Sequence, residues 1–94
     1  MLMGLFFNIN FYTMKLTEQL LKEKGFEFDK ELQSYVKIHE ENSIQIIISQ
    51  GFFYPVLWQS PELSNEIEQR VSLCSITELE ELETIWALFT GGTL

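Results

Sequence analysis

Residues 43–60 read "SIQIIISQGFFYPVLWQS", Ser43 to Ser60, and their pattern decides the fold. Ile44, Ile46 and Ile48 recur at every second position, with Ser43, Gln45, Ile47 and Ser49 between and around them, and so share one face of a strand. Gln50-Gly51 interrupts the run, and glycine tolerates the positive φ that tight hairpin turns need. A two-residue loop sets Ser49 opposite Phe52, Ile48 opposite Phe53 and Ile44 opposite Leu57. Residues facing each other across a hairpin point to the same side. One face therefore collects the isoleucines with Phe53, Pro55 and Leu57. The other collects Ile47, Phe52, Tyr54, Val56 and Trp58. Pro55 has no amide hydrogen, so its strand is expected at a sheet edge or beside a bulge.

Upstream, "GFEFDKELQSYVKIHE" (Gly25–Glu40) supplies two more extended pieces. Phe26 and Phe28 alternate, Asp29-Lys30-Glu31 turns, and Ser34 to His39 alternates again. Glu40-Glu41-Asn42 forms the turn into the hairpin, which assigns Tyr35 to the aromatic face. Thr17 caps a short helix from Glu18 to Lys24, with Leu20 and Leu21 inward and Gly25 as the stop. Downstream, "QRVSLCSI" (Gln69–Ile76) alternates once more, with Val71 and Leu73 on the side opposite Cys74 and Ile76.

The final element, "TELEELETIWALFTGG" (Thr77–Gly92), is a helix. Leu79, Leu82, Ile85, Trp86 and Phe89 recur at three- and four-residue spacing and make one apolar stripe. Thr77 with Glu80 fits a capping box, and acids in the first turn suit the positive end of the helix dipole. Ordinary helix construction thus accounts for the four glutamates. The predicted class is α+β: an antiparallel meander of four or five strands, flanked by an N-terminal and a C-terminal helix packed on the sheet.

The whole chain bounds the function. Ninety-four residues make one domain, and 46% apolar with 21% charged residues is a globular composition. The segment 1–13, "MLMGLFFNINFYT", has two readings: an extra apolar strand, or an extension ahead of a start at Met14. "MKLTEQLL" reads as a fresh beginning and favours the extension, leaving 14–94 as the domain. The run lacks the parts of a secretory signal and is far shorter than a membrane span. One cysteine allows no intrachain disulfide, so a reducing cytoplasm is the expected setting.

The net charge is −8, and its placement is uneven. Residues 1–39 carry five acids and five bases, whereas residues 40–94 carry nine acids against Arg70 alone. Phosphate backbones are bound by Lys and Arg, so direct binding to nucleic acid or anionic membrane is not expected. No phosphate-cradling glycine loop is present, and one histidine with one cysteine gives no zinc set, so no cofactor or metal is expected. His39 and Cys74 are the sole candidates for a nucleophile–base pair, and buried-hydrophobe and solvated-rim roles explain them better.

The expectation is a non-enzymatic, cytoplasmic interaction module, in the style of a small bacterial, phage or mobile-element accessory protein. It binds itself as a homodimer, or a protein partner, through Tyr35, Ile47, Phe52, Tyr54, Val56 and Trp58, since exposed Tyr and Trp often anchor interfaces. The other reading of that face is core, covered by one helix or by the segment 1–13. The alternative is an acidic inhibitor or nucleic-acid mimic. It would meet a basic partner with Glu62, Glu66, Glu68 and the last-helix glutamates.

Overall fold

The computed structural model describes residues 14–59 and 69–94. The element order is α1 (Glu18–Glu23), β1 (Glu27–Asp29), β2 (Ser34–His39), β3 (Asn42–Ser49), β4 (Phe52–Gln59), β5 (Gln69–Ser72) and α2 (Leu79–Thr90). All neighbouring strands are antiparallel, and the sheet runs β1-β2-β3-β4-β5 in chain order. This is a five-stranded meander with a helix before it and a helix after it. The segment 1–13, expected as an extension or extra strand, lies outside the described residues.

The central hairpin has the register that its alternation implies: Ser49 faces Phe52, Ile48 faces Phe53 and Ile44 faces Leu57. Gln50 and Gly51 both take positive φ, +54° and +82°, as a type I′ turn requires. Ile44 and Ile46 are fully buried. One buried cluster joins them to Leu21 of α1, to Phe26 and Tyr35, and to Leu79, Leu82 and Trp86 of α2. Each such side chain contributes on the order of 2 kcal/mol when withdrawn from water.

Three local expectations are corrected. The turn after β2 contains Glu40 and Glu41 only, because Asn42 already pairs with His39. With one residue fewer in the loop, Tyr35 pairs with Ile46 rather than Ile47. A one-residue slip exchanges the faces of a strand. Tyr35 therefore joins the core, 4% exposed, and its hydroxyl donates to Glu18 Oε1 at 3.1 Å. Burial first, then this bond, raise its pKa above the ordinary phenol value.

The second correction concerns Ile76, expected on the side opposite Leu73, and it arises beside Pro55, which lies in an interior strand, buried, opposite Ile46. Its carbonyl accepts from Leu73 N at 2.9 Å, but it has no N–H to return. At this half-made pair β5 ends. Ile76 N then bonds Phe53 O, so three steps on the β5 side match two on β4. The extra residue forms a bulge that brings Ile76 to the same face as Leu73. Ile76 becomes core, and Cys74 is exposed.

The third lies at the start of α2, whose capping box uses Glu78 and Glu81, one residue later than Thr77 and Glu80. The cap of α1 is the expected one, with Thr17 Oγ1 accepting from Leu20 N at 3.1 Å. Gly91 ends α2 with φ +77°.

Candidate functional site: the second face of the sheet

Register decides what this face carries. Opposite the core lie Glu27 and Asp29 of β1, Ser34, Val36 and Ile38 of β2, and Ser43, Gln45 and Ile47 of β3. Beside them lie Phe52, Tyr54, Val56 and Trp58 of β4 and Arg70 and Ser72 of β5. Five of the six residues assigned from sequence share it: Ile47, Phe52, Tyr54, Val56 and Trp58. Tyr35 does not, because the turn after β2 is one residue shorter than expected.

The face is not uniformly open. Ile47 is 38% exposed, Phe52 48% and Ile38 71%, whereas Val56, Gln45 and Ser34 are buried. Tyr54 and Trp58 are half-buried. Its middle is closed by a chain of hydrogen bonds running across the strands. The Trp58 indole N–H donates to Gln45 Oε1 at 2.8 Å. Gln45 Nε2 donates to Ser34 Oγ at 2.8 Å, and that hydroxyl donates to Leu32 O at 3.2 Å. An indole N–H can only donate, so the amide of Gln45 has one orientation here. Arg70 stacks over the Trp58 ring, 5.3 Å from its centroid. Trp58 is thus held by its own sheet. The apolar surface left available is Ile47 and Phe52, with Tyr54 paired directly across from Ile47. Ile38 is exposed apart from them, level with Ser43 and four residues along β3 from Ile47.

Sequence reading missed Ile38, the most exposed of these side chains. A two-residue turn at Glu40-Glu41 would have found it, since that parity puts Val36 and Ile38 on this face. The Ser34–Gln45–Trp58 chain left no sequence signal, because it joins residues from three strands.

Other chemistry finds little support in the geometry. His39 sits beside Asn42, whose β4 partner is Gln59, while Cys74 follows Leu73 opposite Pro55. The two are about 14 Å apart across the strands and about 13 Å along them, far beyond proton-transfer reach. His39 instead packs edge-on against Trp86, ring centroids 6.0 Å apart. Among the described residues no three His, Cys, Asp or Glu side chains are grouped to hold a metal ion. None of the described helices is long and apolar enough to cross a membrane.

The glutamates of α2 are partly committed. Glu81 Oε1 accepts from the backbone N–H of Thr77 and of Glu78, both at 3.0 Å. Those bonds, with help from the Thr77 hydroxyl and Lys15, hold its carboxyl below the usual carboxylate range. Glu78 pairs with Lys15 at 2.9 Å, and Glu83 lies 3.9 Å from Lys24. Glu62, Glu66 and Glu68 lie outside the described residues.

Comparison with known proteins finds no matching family model, no matching curated protein and no matching solved structure.

Proposed function

We propose that this chain is a small, acidic, non-enzymatic protein-interaction module of the cytoplasm that binds a protein partner, or itself, through the second face of its sheet. The observation that carries this reading is the exposure of Ile47 and Phe52, diagonal neighbours on one face, with Tyr54 directly across from Ile47. Large apolar side chains grouped on one surface mark interaction sites more often than scattered ones do. Covering each would recover on the order of 1–2 kcal/mol.

The test uses the double variant Ile47→Ser, Phe52→Ser, which changes only exposed side chains and should leave folding stability within about 1 kcal/mol. The wild-type chain should retain a defined host protein, and the variant should lose it. The retained complex should survive added salt, because apolar contact is not screened. Retention of the same protein by both chains, abolished by salt, would replace this reading with the acidic inhibitor.

A further inference from the structure

The outer edge of β5 is a second surface, separate from the aromatic face. All four of its residues, Gln69 to Ser72, are exposed, and among the described residues no strand pairs with that edge. Beside it, on the core side of the sheet, Leu57, Leu73, Ile85, Leu88 and Phe89 line an open apolar groove of about 280 Å³. Val71, opposite Leu57, continues this apolar surface out to the edge and is 55% exposed.

The direction of the free hydrogen bonds follows from the ladder. Leu73 N points inward to Pro55 O, so Leu73 and Val71 direct their backbone groups at β4. Arg70 and Ser72, the alternate residues, direct theirs outward. An edge of this kind can pair with a copy of itself about a twofold axis perpendicular to the sheet. Opposed residues must then share a face, which leaves registers centred on Arg70 or on Val71. Centring on Arg70 sets two guanidinium groups directly opposite, and like charges so placed destabilise a sheet. Centring on Val71 sets Arg70 opposite Ser72 of the other copy, twice, with all four outward N–H groups aimed at carbonyls. It also lays Val71 against its own counterpart at the mouth of the groove.

We propose that two copies of this chain associate by antiparallel β5–β5 pairing centred on Val71, forming one ten-stranded sheet. Four residues a side fall well short of the roughly 20–30 of a standard interface, so the dimer is weak and concentration-dependent.

Sedimentation over a concentration series reaching about 1 mM tests this. Wild type should pass from monomer to dimer. Ser72→Pro removes an outward N–H and leaves the inner ladder intact, so it should stay monomeric with an unchanged circular dichroism spectrum. Ser72→Glu should tighten the dimer several-fold, because it faces Arg70 of the other copy in this register alone. A wild-type chain that remains monomeric overturns the proposal, as does a dimer indifferent to Ser72→Pro. A dimer lost in Ile47→Ser, Phe52→Ser but kept in Ser72→Pro would move self-association to the sheet face.

Discussion

The two edges of the sheet are built differently. At one edge, β1 has three residues, and two of them are acids, Glu27 and Asp29. Pairing β1 with itself about Phe28 would oppose Glu27 to Asp29 on both sides of the axis, a like-charge arrangement. Phe28 is turned instead onto Tyr35, edge to face at 5.2 Å. At the other edge, β5 carries no acid and leaves its outward backbone groups free among the described residues. Charged side chains on an edge strand are a common guard against unwanted pairing. β1 opposes like charges in its self-pairing about Phe28, whereas the single charge of β5, Arg70, meets Ser72 when β5 pairs about Val71, so the chain does not treat its two ends as equivalent.

Anchoring separates the edges as well. Behind β1, Phe26 packs on Trp86, ring centroids 6.2 Å apart, and Lys37 Nζ lies 4.9 Å from the Trp86 ring while donating to Lys24 O at 2.7 Å. Trp86 thus ties β1, β2 and α2 together. Behind β5 stands the half-buried Leu73, and the strand's ladder stops at Pro55. The largest expected effect follows from this contrast. Trp86→Ala should cost about 3–5 kcal/mol in denaturant unfolding and speed amide exchange in β1 and β2. Leu73→Ala should cost about 1 kcal/mol, with its exchange effect confined to β5. Equal costs for the two would show that both edges are anchored to the core alike.

The guard on β1 can be removed without disturbing its turn. Asp29 Oδ1 accepts from Glu31 N and Leu32 N at 2.9 and 3.0 Å, and asparagine keeps that acceptor. The variant Glu27→Gln, Asp29→Asn, made in a Ser72→Pro background to silence β5, should gain self-association about tenfold, or 1.4 kcal/mol. Sedimentation reads this directly. If the doubly neutral edge stays as inert as the charged one, charge is not what protects it.

Much of the fold is legible in the sequence, because hairpin alternation is a strong periodic signal. Ile44, Ile46 and Ile48 with Gln50-Gly51 specify one register, and the sheet adopts it. The misplacement of Tyr35 shows where such reading fails. Whether Asn42 belongs to the turn or to the strand changes no propensity noticeably, yet it exchanges the faces of β2. The same holds for Ile76, which alternation sets opposite Leu73 until the bulge across from Pro55 adds a residue. Proline announces an irregularity, but composition does not say which strand absorbs it. The β3–β4 part of the second face follows from that same hairpin register, whereas the place of Ile38 and the open edge of β5 become visible only once pairing is known.

The edges should finally differ in their response to pH. On the β5 side, the chain reaches α2 through Ile76 and the Glu81 cap. Because the folded-state pKa of Glu81 is lowered, its stabilisation is present above the ordinary carboxylate value and is lost as pH falls through the lowered one. On the β1 side, Tyr35 has a raised folded-state pKa, so its contribution is present below the ordinary phenol value and is lost as pH rises through the raised one. Acid should loosen the start of α2 first, and alkali the contact between α1 and β2. Glu81→Ala should cost about 0.5–1 kcal/mol at neutral pH and flatten the acid limb of the stability profile. Tyr35→Phe should flatten the alkaline limb and leave the acid limb unchanged. Should either substitution alter the opposite limb, the two sides of the sheet would be coupled through the core rather than held by separate local contacts.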